Sequence, residues 1–176
     1  MYKGEEMDKK KKEEKTFWQE LPEYIIIMVV TALVCNFVIC FNKIPSGSME
    51  PTIHVGARTV SWRLPYLIGD PAPDHSDIVV FHSPDENKLL IKRVIGLPGD
   101  EITFMDGAVY VNGEKRTQDY EVWTDAPQET YHVPEGCMFV MGDNRSNSHD
   151  SRYMDTTYIP IENIHAKFLF AIQLPR

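Results

Sequence analysis

The chain has 176 residues, 43% apolar and 25% charged, with a formal net charge of −8; that fits one globular domain plus an appendage, not two full domains. Residues 42–176 carry 12 Lys and Arg against 19 Asp and Glu, so no basic patch is available for a nucleic-acid partner. Three cysteines, two of them inside an apolar run, exclude a disulfide framework, and Cys137 reads as a buried small hydrophobe.

Residues 1–17 are rich in Lys and Glu and are expected to be disordered. No residue from Ile25 to Phe41 is charged. With Trp18 and Tyr24 as interfacial anchors, residues 18–41 read as a single transmembrane helix. A cleavable signal peptide is the rival reading, but no small-x-small site follows the run. Residues 5–24 hold five lysines, whereas 42–61 hold only Lys43 and Arg58. That bias predicts a cytoplasmic amino terminus and an extracytoplasmic body over residues 42–176.

Directly after the apolar run comes Pro45-Ser46-Gly47-Ser48-Met49-Glu50-Pro51-Thr52. A glycine between two serines lets the backbone turn tightly, and the prolines keep the segment out of a helix or a central strand. From these residues alone a surface turn and an exposed nucleophile both remain open. Thr59–Leu64 is a short strand candidate, followed by a proline-rich loop over Gly69–Asp74. Asp77–Phe81 and Lys88–Ile95 read as strands; alternation in the second puts Leu90, Lys92 and Val94 on one face and Leu89, Ile91, Arg93 and Ile95 on the other. A hairpin joins Ile102–Phe104 to Val109–Val111 through Asp106-Gly107, and Asn112-Gly113 marks the next turn. Residues 114–130 read as a polar loop, Gly136–Met141 as a strand and Ala166–Leu174 as the last strand. Many short strands with no helical period outside the anchor predict an all-β body.

The six histidines show no metal-ligand spacing, no cofactor motif is present, and the carboxylates of Asp143–Asp150 lack the turn glycine and distal glutamate of a calcium loop. Lys92 has two readings. On a strand edge its head would sit in water. On a buried face desolvation would lower its pKa, and the neutral amine could act as general base for a serine hydroxyl such as that of Ser48.

Four segments resemble the sequence boxes of the type I (leader) signal peptidases, in the family's order. They are Pro45–Thr52, Asp77–Phe81, Ile91–Asp100 and Phe139–Arg152, the last reading Phe-Val-Met-Gly-Asp-Asn-Arg-Ser-Asn-Ser-His-Asp-Ser-Arg. With the anchor they cover most of residues 18–152. The resemblance implies a mainly β fold of coiled antiparallel sheets behind one transmembrane helix. It also implies a serine endopeptidase that needs no cofactor or metal and cuts signal peptides from secretory preproteins after a small-x-small site. Ser48 would be the nucleophile and Lys92 the general base. The backbone N–H of Ser48 and the hydroxyl of Ser46 would form the oxyanion hole, and Ser148 would orient the lysine. Asp150 and Arg152 would hold that segment as a charged pair, with Asp143 and Asn144 as turn scaffold. Pro45, Met49 and Leu89, Leu90 and Ile91 would lie along the bound peptide, Met49 packing beneath the loop.

The implied partners are preproteins, the lipid bilayer and the export machinery, and the implied location is a cell membrane with the catalytic body outside. Ser76, Asp155 and Ala166 depart from positions where the family commonly has glycine, which bears on loop shape only. A peptidase dedicated to a restricted set such as pilins, and a non-catalytic membrane-tethered peptide-binding module, are the alternatives.

Overall fold

The structure, a computed structural model, describes residues 17–68, 72–116 and 129–173. The chain divides into two units, Met1–Val38 and Ile39–Arg176. In the first, helix α1 (Phe17–Phe37) carries Pro22 near its start. Its side chains from Tyr24 to Val30 are exposed on every face, as in a helix apolar all round.

The helix stops earlier than the apolar run does. Ile39–Lys43 leave it as strand β1, whose five residues pair antiparallel with β2 (Arg58–Trp62), from Ile39 opposite Trp62 to Lys43 opposite Arg58. Residues 39–41, expected in the anchor, therefore belong to the second unit, because Ile39, Cys40 and Phe41 satisfy their backbone groups on a sheet edge. The uncharged helical stretch Ile25–Phe37 is about 20 Å long, against roughly 30 Å of bilayer hydrocarbon. Among the described residues no helix is long and apolar enough to cross a membrane.

In the second unit short β-branched and aromatic runs between turn residues form antiparallel strands. After β2 come α2 (Leu64–Ile68), β3 (Ile78–His82), β4 (Leu89–Gly96), β5 (Glu101–Met105), β6 (Ala108–Val111), β7 (Glu114–Lys115), β8 (Thr130–His132), β9 (Cys137–Met141), β10 (Ile159–Pro160), a 3₁₀ turn (Ile161–Asn163) and β11 (Ile164–Ile172). One sheet has the order β1-β2-β11-β3-β4-β9-β10 and the other β7-β6-β5-β8. The body is mainly β, as expected. The expected strand Thr59–Leu64 ends at Trp62, and α2, for which no periodicity speaks, begins at Leu64. The supposed loop 114–130 contributes β7 and the first residue of β8; its residues 117–128, like 1–16, lie outside the described residues.

Strand β9 explains how the layers join. Its alternate side chains face two cores, Phe139 and Met141 one and Met138 and Val140 the other, so both faces are buried and the sequence is apolar without a break. Phe139 and Met141 meet Ile102, Phe104, Val109 and Val111 of the second sheet. Met138 and Val140 meet Val79, Phe81 and Val94. Cys137 at the start of β9 is half-buried rather than buried, because it sits at the strand's open end. The β4–β9 register shifts between Val94 and Gly96. A Cβ on Gly96 would come within 2.5 Å of Ile102 Cδ1, so the small residue lets the second sheet approach. Both hairpin turns have positive φ at their two central residues, Asp106-Gly107 and Asn112-Gly113, the twist-matched geometry of two-residue loops.

Phe139 is fully buried and its ring lies near those of Phe104, Tyr131 and Tyr158. Phe139→Ala should lower the unfolding free energy by about 3–5 kcal/mol, read from the denaturant midpoint.

Candidate active site

The long connection from β1 to β2 holds the serine loop. Its base is closed by Ile44 N–H bonding to Ala57 O at 3.0 Å and Gly56 N–H bonding to Ile44 O at 2.8 Å. Ile44, Met49, Ile53 and Ala57 are buried together with Ile78, and half-buried Ile91 packs against them. Four apolar anchors in fourteen residues thus pin an otherwise irregular segment. Ser46 and Pro45 are exposed and Ser48 is half-buried above this floor. Met49, grouped with the peptide-contacting positions, has no exposed surface; it supports the loop from below and offers nothing to a peptide.

A second segment, following β9, grips the loop from the side. Asn144 donates its backbone N–H to Ser48 O at 3.0 Å and its Nδ2 to Gly47 O at 3.1 Å. At Gly142 an added Cβ would lie 2.2 Å from Ser148 Oγ and 2.4 Å from the Ser48 carbonyl oxygen. The two serines, a hundred residues apart in sequence, meet over the one residue that has no side chain.

Lys92 lies on β4 opposite Val79 of β3, on the face that also buries Leu90 and Val94. It is 4% exposed and donates from Nζ to Ser148 Oγ at 3.0 Å. Burial, only partly offset by Asp150, and helped by the Arg152 charge, lowers its pKa to about 8. The nearby carboxylate is already committed. Asp150 accepts from Arg152 Nε at 2.7 Å and Nη2 at 2.9 Å and from Gly142 N–H at 2.9 Å. Burial alone would raise Asp150; the Arg152 fork, the Gly142 N–H and the Ser148 hydroxyl outweigh it and hold the carboxyl below its ordinary value. Ser148 gives its proton to Asp150, so it must accept from Lys92.

Arg93, next to Lys92 but on the opposite face, is the residue that sequence reasoning left out. Its Nε and Nη2 reach the two oxygens of Asp143 at 2.7 and 2.6 Å, and its Nη1 donates to Ser76 O at 2.8 Å. Asp143 has no exposed surface, so this fork–fork pair ties β4 to the turn that carries Asn144. Gly142 was likewise left out; a glycine directly after a fully apolar strand was its only signal. Leu89 is exposed and Leu90 and Ile91 are half-buried. On the β9 side β4 is paired only from Arg93 onward, which leaves the backbone of Leu89–Ile91 unpaired on that edge among the described residues. No group of three His, Cys, Asp or Glu among the described residues could hold a metal ion.

The buried Lys92 amine thus bonds to Ser148, and Ser148 and the Ser48 carbonyl both crowd Gly142, so the amine and the serine loop approach the same glycine. Residues 18–172 match the family described as signal peptidase, peptidase S26, and the chain belongs to that family. It is 36% identical over 164 residues to a probable signal peptidase I-2 of Synechocystis sp., covering 89% of this chain and 73% of that one. It is 37% identical to a probable signal peptidase I-1 of the same organism, covering 87% and 84%. A crystal structure of a signal peptidase I from Enterococcus faecalis is similar at 32% identity with a TM-score of 0.49, covering 55% of this chain and 96% of that chain.

Two substitutions probe the geometry. Gly142→Ala should push the serine loop away from Ser148 and lower the rate of preprotein cleavage about 100-fold, with a smaller effect on the unfolding midpoint. Asp143→Ala strands the buried Arg93 guanidinium and should cost about 3–5 kcal/mol in denaturant unfolding.

Proposed function

We propose that this member of the signal peptidase family is a serine endopeptidase that removes signal peptides from exported preproteins after a small-x-small site, with Ser48 as nucleophile and Lys92 as general base. The observation that carries the reading is Lys92 itself. An amine buried this deeply, with a pKa near 8 and no carboxylate of its own, is poised to take a proton near physiological pH.

Lys92 Nζ takes the Ser48 hydroxyl proton as Oγ bonds to the scissile carbonyl carbon. Electrons move onto the carbonyl oxygen, which the Ser48 N–H and the Ser46 hydroxyl stabilise; such donors are typically worth about 3–4 kcal/mol each. The protonated Lys92 then gives its proton to the departing amine, leaving an acyl-enzyme. A water, deprotonated by the same amine, repeats the sequence and frees the signal peptide's new carboxyl end. Ser148 fixes the direction of the amine, since it accepts one Nζ–H and so leaves the lone pair for Ser48. Asp150 and Arg152 fix Ser148, and Asn144 holds the loop carbonyls. The unpaired edge at Leu89–Ile91 supports binding of the substrate as an added strand, where main-chain bonds give affinity and shallow pockets admit small side chains.

The helix α1 supports membrane attachment, because a helix with exposed isoleucines and valines on every face is not stable in water. In this reading α1 and its lysine-rich approach place the amino terminus in the cytoplasm and the catalytic body outside, beside substrates whose own apolar segments lie in the bilayer. Tethering both to one surface raises their effective concentration. Full-length protein should stay in the membrane pellet through an alkaline carbonate wash; release into the supernatant would overturn the attachment.

Ser48→Ala and Lys92→Met should each lower cleavage of a preprotein in detergent by at least about 10³-fold while leaving the protein folded. Near wild-type cleavage in either variant sinks the dyad. Only neutral Lys92 accepts a proton, so kcat/KM should climb as pH rises through about 8. Stability should follow the same sign. Between about 8 and the ordinary 10.5 the unfolded lysine holds a proton that the folded one lacks, so unfolding free energy rises with pH across that window. Lys92→Met should flatten the rise.

A further inference from the structure

We propose that Asp85 and Thr156 are positioning residues for Lys92: their paired hydrogen bonds latch residues 150–156 over the strand face that buries the amine. The latch goes beyond the dyad, and its consequence for cleavage rests on Lys92 being the general base.

The face is that of Leu90, Lys92 and Val94 on β4. Leu90 and Val94 belong to a core that also holds Met154 and Ile159. Met154 is 5% exposed, and its N–H bonds to Asp150 O at 2.9 Å. The chain from Asp150 to Met154 thus forms a cap on the side of the sheet that carries Lys92. After Met154 there is neither helix nor strand until Ile159, and an irregular cap needs a tether at its far end.

Asp85 supplies that tether. Thr156 donates its hydroxyl to Asp85 Oδ1 at 2.6 Å and its N–H to Asp85 Oδ2 at 3.1 Å. These bonds, aided by the Asp155 N–H and by His149, hold the Asp85 carboxyl below its ordinary range, so at neutral pH it is ionised and accepts from both donors. Asp85 is itself fixed in the turn between β3 and β4. Ser83 N–H closes that turn on Lys88 O at 2.9 Å, and Glu86 N–H bonds to Ser83 Oγ at 3.3 Å. The latch therefore ties the cap to the hairpin whose second strand carries Lys92.

The charges acting on the amine are Asp150 and Arg152 from the cap and Glu86 and Lys88 from the hairpin turn, opposed in sign within each pair. Burial outweighs them all, and the cap contributes to that burial. With the latch undone, water reaches the amine and its charged form recovers.

The test uses the full chain in detergent, labelled with [13Cε]lysine, with the Lys92 titration followed by NMR and its signal identified by loss in Lys92→Met. Asp85→Ala should raise the midpoint by about one unit, from about 8 toward the ordinary 10.5. Thr156→Val, which changes no charge, should move it the same way. Thr156→Ser keeps the hydroxyl and should keep the wild-type midpoint. A pure charge effect has the opposite sign, since removing a carboxylate disfavours the ammonium. The rise of kcat/KM with pH should shift alongside, a loss of about fivefold near pH 8 in Asp85→Ala. A midpoint that stays or falls in Asp85→Ala, or stays in Thr156→Val, overturns the proposal. The titration is read without substrate, so the two readings fail separately: a kcat/KM profile that ignores the Lys92 midpoint sinks the general base and leaves the latch standing.

Discussion

Everything at the centre of this protein depends on how Lys92 is buried. An ammonium taken out of water is tolerated only with a partner charge, and the fold provides a serine hydroxyl in its place. The nearby carboxylate, Asp150, is locked by Arg152 and by the Gly142 N–H, and its remaining influence on Lys92 is partly cancelled by the Arg152 charge itself. Strand β4 holds the lysine rigidly because its neighbours Leu90 and Val94 are part of a packed core. The amine is held away from solvent, and its neutral form becomes accessible near pH 8.

The antiparallel sheet order is what makes this environment possible. β4 pairs with β3 through Lys92 but with β9 only from Arg93 onward, so Lys92 lies just before that pairing begins, and the segment leaving β9 brings Ser148 to its amine. That segment carries Gly142, Asp143, Asn144, Ser148, Asp150 and Arg152, and each contacts a different part of the site. The serine loop enters from the far side of the same sheet, held down by Met49 and Ile53. Its polar face then meets the β9 segment through two Asn144 bonds and the bare Cα of Gly142. The loop has no regular structure of its own, and its precision comes from being gripped on two sides.

The residues proposed to carry chemistry stood out because chemistry restricts residue type. Two hydroxyls around a glycine, and a lysine within an apolar alternating strand, are few enough to be found by inspection. The strands of the body were legible for a similar reason, since β-branched runs bounded by Asp-Gly and Asn-Gly have one good local solution. The supports were less so. Arg93 looks like an ordinary strand charge until Asp143 is placed against it, a partner fifty residues away. The apolar run from Ile25 to Phe41 misled for the opposite reason. Its composition suits either a helix or a strand, and the edge of β2, which the local sequence does not announce, decided the last residues in favour of a strand. Met49 packs beneath the loop as expected, and only its grouping with the peptide-contacting positions went beyond what adjacency to Ser48 supports.

The arrangement also fits an amine as the proposed basic group. A guanidinium keeps its charge under any burial found in proteins, and Arg93, Arg145 and Arg152 do so here, two of them with a carboxylate fork. Position 92 differs from Arg93 and Arg152 in having no carboxylate to itself. A lysine can shed its proton and remain. The pairing rule that fixes Arg93 and Arg152 thus leaves Lys92 a buried cation with a charge that is conditional. A conditional charge is what the proposed proton transfer requires.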